Sequence, residues 1–284
     1  MPGYGLGYSS LLKKGVKPSI PPFTGLLDTY GGASVAYSAA RRLATAYTGS
    51  LIRVRRSSDN AEQDIGYDGS NVLDESALTT FVGANNGFIT KLYDQSGNTI
   101  DIAQSTALSQ PKIVNSGSVL KANTKPYFQT DGSSFLFNNT LSLNGTTNSI
   151  FVTLKVDATK GVVAMMSGGS DTNQHFPSRA GDGTNRYYDT TATTTAAALP
   201  NGLNLVNIHE TSSGNTVYEN NALLMSNEPH NTTNSTGLYL LARTAGNNLP
   251  SGWGMSEVII YSGTSKLSDN TGISTNINTF YSIY

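Results

Sequence analysis

Residues 149–156 read Ser149-Ile150-Phe151-Val152-Thr153-Leu154-Lys155-Val156, and the runs Leu203–Glu210 and Ser256–Ser262 have the same character. β-Branched and aromatic side chains dominate all three, the mixture that fits a pleated, buried surface. Shorter runs of this kind fall at Lys112–Val114, Tyr127–Gln129, Ser134–Phe137, Val162–Met166, Thr216–Glu219 and Gly237–Ala242, most of them separated by turn residues. From about residue 110 onward the chain therefore reads as strands and turns, which predicts a mainly β, antiparallel sandwich. Ile273, Ile277 and Phe280 are spaced for a closing helix within 270–283.

Towards the N-terminus the pattern is more mixed. Val35, Ala39 and Leu43 with Ala36, Ala40, Ala44 and Tyr47 predict a helix over about 34–48, stopped by Gly49. Leu51–Arg55 and Phe88–Tyr93 read as strands. Asp74 reads as the N-cap of a short helix running through Leu78, Phe81 and Val82 to Gly83. Residues 1–25 hold four of the ten prolines, with no acidic residue before Asp28. Proline withholds a donor and fixes φ, so these residues are expected to form an extended arm, with 26–284 as the sandwich domain.

Composition excludes several kinds of function. The chain has 284 residues, no cysteine and a formal net charge of −1, with 13% charged residues. Thiol catalysis, iron–sulfur clusters and cysteine-based zinc sites are ruled out. A near-neutral chain has no global field to attract nucleic acid or anionic lipid. No run approaches the ~18 apolar residues that a membrane span needs, and the N-terminus lacks the basic and apolar regions of a signal peptide. His175, His209 and His230 have no metal-ligand spacing, so neither cofactor nor metal is expected.

Certain irregular motifs identify a resemblance. Tyr37-Ser38-Ala39-Ala40-Arg41-Arg42-Leu43, Ala46-Tyr47-Thr48-Gly49, Ile52–Asn60, Asp64-Ile65-Gly66, Phe88-Ile89-Thr90 and Tyr93-Asp94-Gln95-Ser96-Gly97 occur in that order. Together they resemble the N-terminal half of the arabinofuranosidase B catalytic domain, and also a block found in phage and bacterial proteins with a laminin-G-like body. The resemblance implies a concanavalin/laminin-G-like jelly roll with a few short helices. It also implies a glutamate nucleophile shortly after a vicinal cysteine pair, and an acid/base aspartate after a glycine-rich strand end. The corresponding stretches here are Val163–Asp171, with no cysteine and the shorter acid Asp171, and Leu241–Asn248, where Asn247 stands among residues with no acid. An amide cannot supply the proton a leaving oxygen needs. No catalytic pair is recognisable, which weighs against an enzyme.

Other residues receive roles from their own chemistry. Asp94 and Asp59 are expected to bind backbone amides at turns. Arg53, Arg55 and Arg56 are expected to pair with Asp59, Glu62 and Asp64, and Trp253 to be buried. The segment 171–188 reads as a polar and aromatic loop. Its Asp171, His175, Arg179, Asp182, Tyr187 and Tyr188, with Asn247, form a candidate saccharide-binding set. In the arm, Leu11, Leu12, Lys13, Lys14, Lys17 and Phe23 are candidates for anchoring to a partner. These readings lead to an expected phage virion surface protein: a homo-oligomeric fibre, decoration or adhesion subunit, held to other virion proteins by the arm and presenting a sandwich that binds a cell-surface or mucosal glycan. The alternatives are a divergent arabinofuranosidase-like hydrolase using carboxylates among Asp171, Asp182, Asp189 and Glu210, or a structural capsid or tail protein without ligand.

Overall fold

A computed structural model describes residues 22–157, 199–228, 234–242 and 251–284, and the backbone of strands between 163 and 196. The N-terminal elements are α1 (Leu26–Thr29), β1 (Val35–Ser38), β2 (Ile52–Arg56), β3 (Glu62–Ile65), α2 (Glu75–Val82), β4 (Gly87–Leu92) and β5 (Ile102–Ala103). Next come β6 (Lys112–Asn115), β7 (Ser118–Val119), β8 (Lys121–Ala122), β9 (Lys125–Pro126), β10 (Phe128–Gln129), β11 (Leu136–Leu143) and β12 (Asn148–Val156). Then follow β13 (Val163–Ala164), β14 (Met166–Ser167), β15 (Phe176–Arg179), β16 (Asn185–Asp189) and β17 (Ala192–Ala196). The last are β18 (Gly202–Thr211), β19 (Gly214–Glu219), β20 (Ala222–Glu228), β21 (Ser235–Leu240), β22 (Gly254–Ser262) and α3 (Asn270–Tyr281).

Sixteen of these strands form one antiparallel sheet, ordered β14-β21-β11-β5-β4-β6-β10-β22-β12-β18-β19-β20, with β1 on β22, β2 on β4, β3 on β2, and β7 on β6. The sheet folds over into two layers. Leu136, Leu238 and Leu240 of one layer share a buried cluster with Ile150, Val152, Val206, Ile208, Val258 and Ile260 of the other. The outer face of the second layer is covered in turn. Ile273, Ile277 and Tyr281 of α3 pack on Phe151, Leu203, Leu205, Ile259 and Tyr261 in a second cluster. β12 and β22 are thus buried on both faces, which is why their sequences are apolar without clean alternation. The mainly β, antiparallel architecture with few helices is as the sequence leads one to expect.

The N-terminal helix is not formed. Val35–Ser38 is a strand, paired antiparallel with β22 from Val35↔Ile260 to Ser38↔Glu257. Val35 and Tyr37 enter the main core, while Ala36 enters the cluster under α3. A strand sandwiched between two cores is buried at every position, and Ala36 with Ala39 and Ala40 just beyond it imitates helical spacing. Pairing with β22 and burial on both faces outweigh alanine's helix propensity.

The shorter helix forms where the sequence places it. Asp74 Oδ1 accepts the Ala77 amide at 2.9 Å, and the Gly83 amide closes the other end on Thr79 O. At Gly254, a Cβ would lie 2.3 Å from Phe128 O and 2.6 Å from the Tyr127 ring. Only glycine lets β10 approach β22 there.

Candidate functional site

The saccharide-binding set falls largely outside the described residues: Asp171, His175, Asp182 and Asn247 all do. Arg179 ends β15, while Tyr187 and Tyr188 lie on β16, where they pair with Pro177 and Phe176. The expected loop is therefore in part a hairpin, within a four-stranded sheet ordered β13-β15-β16-β17. The threonine-rich run becomes β17, at one edge of that sheet. Of the anchoring candidates, Leu11, Leu12, Lys13, Lys14 and Lys17 lie outside the described residues. Phe23 rests against its own chain, with the Arg42 guanidinium 5.2 Å from its ring centroid and its carbonyl accepting from Thr45 Oγ1 at 3.0 Å.

The described carboxylates near the core are committed to structure. Asp94 accepts amides from Ala36 (2.9 Å), Ser96 (2.9 Å) and Ile100 (3.1 Å), plus the Ser96 hydroxyl at 2.7 Å, and so ties the β4 exit to β1. Glu257 is held by Arg41, Ser38 and Tyr281. Glu210 is 1% exposed and accepts from Asn148 Nδ2. A carboxyl enclosed in this way cannot reach a glycosidic oxygen, so Glu210 drops out of the hydrolytic candidates. Asp59 accepts two bonds from Arg56, which hold its carboxyl down at about 2. No group of three or more His, Asp or Glu among the described residues could hold a metal. No helix there is long and apolar enough to cross a membrane.

The outer face of the first layer is different. Phe137 of β11 lies opposite Tyr239 of β21, which in turn is paired with Ser167 of β14. The Phe137 and Tyr239 rings stack at 5.9 Å with 21° between planes, and Phe135 joins them at 6.0 and 5.8 Å. Alternation along β11 and β21 turns Leu136, Leu238 and Leu240 inward and leaves Phe137 and Tyr239 half-exposed. These rings border the backbone leading into residues 168–175 and the end of β21 leading into 243–250. Sequence reading missed them, although the Phe-Leu-Phe alternation at 135–137 carries the signal. Farther along the same face, hydrogen bonds to Glu62 and Tyr93 hold the Arg53 guanidinium above its ordinary value. Burial, and then Asp64, push the Tyr93 hydroxyl up.

The model of the α-L-arabinofuranosidase B catalytic family matches residues 28–175, just over half of the chain. Among solved structures, a mutant GH54 α-L-arabinofuranosidase soaked with 4-nitrophenyl α-L-arabinofuranoside superposes with TM-score 0.64 at 14% identity. The same enzyme type with a cyclic sulfate inhibitor gives 0.64 at 15%. An arabinofuranosidase complexed with arabinofuranosyl-α-1,2-xylobiose gives 0.62 at 15%. Each superposition covers 88% of this chain and 63% of the other, so the chain spans less than two thirds of those enzymes and the likeness is one of fold. No curated protein matches significantly. The expected virion fibre, decoration or adhesion subunit is overturned by these matches, and the capsid or tail alternative gains nothing from them. The matching family and the similar structures are arabinofuranosidases, whereas the virion expectation rested on the sandwich fold, the lack of a signal peptide and the proline-rich arm, none of which is specific to a virion. Through the match over residues 28–175, the chain belongs to the α-L-arabinofuranosidase B catalytic-domain family.

Proposed function

We propose that the chain is an α-L-arabinofuranosidase-like glycoside hydrolase that removes arabinofuranosyl groups from a polysaccharide. The family match running from the first strands to residue 175 carries this reading. The two-layer body supports a concanavalin/laminin-G-like jelly roll as its scaffold. Glycoside hydrolysis needs two carboxyl groups, about 5–5.5 Å apart when configuration is retained and farther apart when a water must enter between them. With Glu210 enclosed, the candidates are Asp171, Asp182 and Asp189. Asn247 can orient a sugar hydroxyl but cannot protonate the leaving group. Arg179, Tyr187 and Tyr188 on the neighbouring hairpin are assigned to sugar contact, with a cell-surface or other glycan as partner.

Release of 4-nitrophenol from 4-nitrophenyl α-L-arabinofuranoside tests the activity. The expected result is turnover by the wild-type chain, with loss of at least a hundredfold in two of the three variants Asp171→Asn, Asp182→Asn and Asp189→Asn. No release above background from the folded chain, on this substrate and on arabinan, would overturn the reading.

A further inference from the structure

The half-exposed rings of β11 and β21 are one end of a longer row. Tyr239 is registered with Phe137, Phe137 with Ala103, Ala103 with Lys91, Lys91 with Arg53, and Arg53 with Asp64. These six residues come from six adjacent strands, β21-β11-β5-β4-β2-β3. None of the six is buried, whereas their inward neighbours Leu240, Leu136, Ile102, Leu92, Ile52 and Ile65 all are. At strand spacing the row is ~24 Å long, the length of a short oligosaccharide laid across the strands.

Its middle is a depression. A cavity of about 290 Å³ opens on this face between Arg53, Glu62, Thr90, Lys91, Ala103 and Ser105. Ala103 is its low point, since it supplies a methyl between the Phe137 ring and the Lys91 chain. The β4 register shifts opposite Arg53/Val54, where Thr90 is the extra residue. A bulge of this kind re-aims a side chain, and the Thr90 hydroxyl comes within 3.5 Å of Glu62 Oε2.

The chemistry along the row selects a ligand class. Its charges are already paired: Arg53 with Glu62 at 2.7 Å and Asp64 at 3.3 Å, and Lys91 with Asp101 at 3.3 Å. Tyr93 Oη donates to Asp64 Oδ1 at 2.7 Å, which holds the acceptor in place. Two cations against three carboxylates leave no excess positive charge to attract a polyanion or a nucleic acid. What remains is a line of fixed donors and acceptors leading to stacked ring faces. Neutral sugars present hydroxyls at their edges and C–H groups on their faces, and bind to this combination.

We propose that this row is a groove for the neutral main chain of a polysaccharide. Tyr239 and Phe137 would form a platform at one end, and Ala103, Lys91 and Arg53 would carry the chain onward from it. The choice of ligand rests on the glycoside-hydrolase reading; the groove itself does not. Native gel electrophoresis through soluble arabinoxylan reads binding without turnover. The wild-type chain should be retarded, and retardation should survive added salt because the contacts are not net ionic. Tyr239→Ala, Phe137→Ala and Arg53→Ala should each weaken retention about fivefold or more, while Thr279→Ala on the far side of α3 should leave it unchanged. Tyr239→Phe keeps the ring and should retain most of the binding. Arg53→Ala removes an exposed side chain, so it stays informative if an aromatic variant fails to fold. No retardation, retardation unaffected by the Arg53 and Tyr239 changes, or binding confined to polygalacturonate and lost with salt would each overturn the groove. Binding without any arabinofuranoside hydrolysis would overturn the hydrolase reading alone.

Discussion

Arg41 grips Glu257 with two parallel bonds, Nε to Oε2 and Nη2 to Oε1, each 2.8 Å long, in a site where the carboxylate is 1% exposed. The pair joins the turn after β1 to the middle of β22. Ser38 and Tyr281 hydroxyls donate to the same Oε2 at 3.2 Å, and Asn276 accepts from Arg41 Nη1 at 2.9 Å. Strand, turn and α3 thus meet on one carboxylate.

Breaking a buried pair from one side leaves a charge that cannot be rehydrated. Glu257→Gln or Arg41→Ala should each cost about 3–5 kcal/mol, read from urea denaturation midpoints. Arg41→Lys should recover little, because a point charge cannot make the two-pronged contact. The double change Arg41→Met with Glu257→Leu should be less damaging than either single change, since it removes both desolvation penalties. A double variant as damaging as either single change would contradict this account.

His209 supplies a pH dependence. It packs edge-on against Phe151 of the second core cluster, between Ser149 Oγ and Asn270 Oδ1, each 2.9 Å from a ring nitrogen. The partners select the neutral Nε2–H form, with Ser149 donating to Nδ1. Burial lowers the pKa of His209, only partly offset by the bond to Asn270. Below about pH 6.5 the unfolded chain takes up a proton that the native ring resists, so this residue's contribution to stability falls as pH drops. The parent should lose up to about 1.4 kcal/mol per pH unit more than His209→Gln between pH 6.5 and 5. Identical slopes in the two proteins would show that His209 is protonated in the native state.

The α2 cap gives a smaller effect. Asp74→Ala removes the acceptor of the Ala77 amide and should cost about 1 kcal/mol, whereas Asp74→Ser should cost less. Guanidinium denaturation resolves the difference, and equal losses would mean that solvent caps this helix.

Gly254→Ala should be more damaging than its size suggests. The added methyl meets the Phe128 carbonyl, which is backbone and cannot swing away. A loss of about 3 kcal/mol, the upper end for overpacking, is expected, with separation of β10 from β22 visible as faster amide exchange at Phe128 and Met255. A variant as stable as the parent would show that the two strands can part cheaply.

How much of this was legible beforehand depended on what each residue's neighbours had to be. Asp74 and Gly83 mark α2 by local chemistry alone, so its bounds could be read directly. β12, β18 and β22 are long enough for composition to declare them. Val35–Ser38 could not be read in the same way, because its strand state depends on Ile260 and Glu257, more than 200 residues later. β3 was missed for the opposite reason: it is an edge strand with one buried residue, Ile65, and three exposed polar ones. The catalytic resemblance rested on cysteines and acids that this chain lacks at the matching places. The family signal lay instead in turns such as Tyr93–Gly97, where Asp94 binds amides from β1 and from its own loop.

The position of β22 also sets the order in which this chain can fold during synthesis. It pairs with β1, β10 and β12, yet is made after every other strand. Until residue 262 has left the ribosome, Val35–Ser38 and Asn148–Val156 each lack the partner between them, and Glu257 is not there to meet Arg41. The nascent chain must therefore carry exposed β-prone segments for most of its translation. A stop codon placed before Gly254 would yield a product that cannot close its central sheet, however many of the family's motifs it retains.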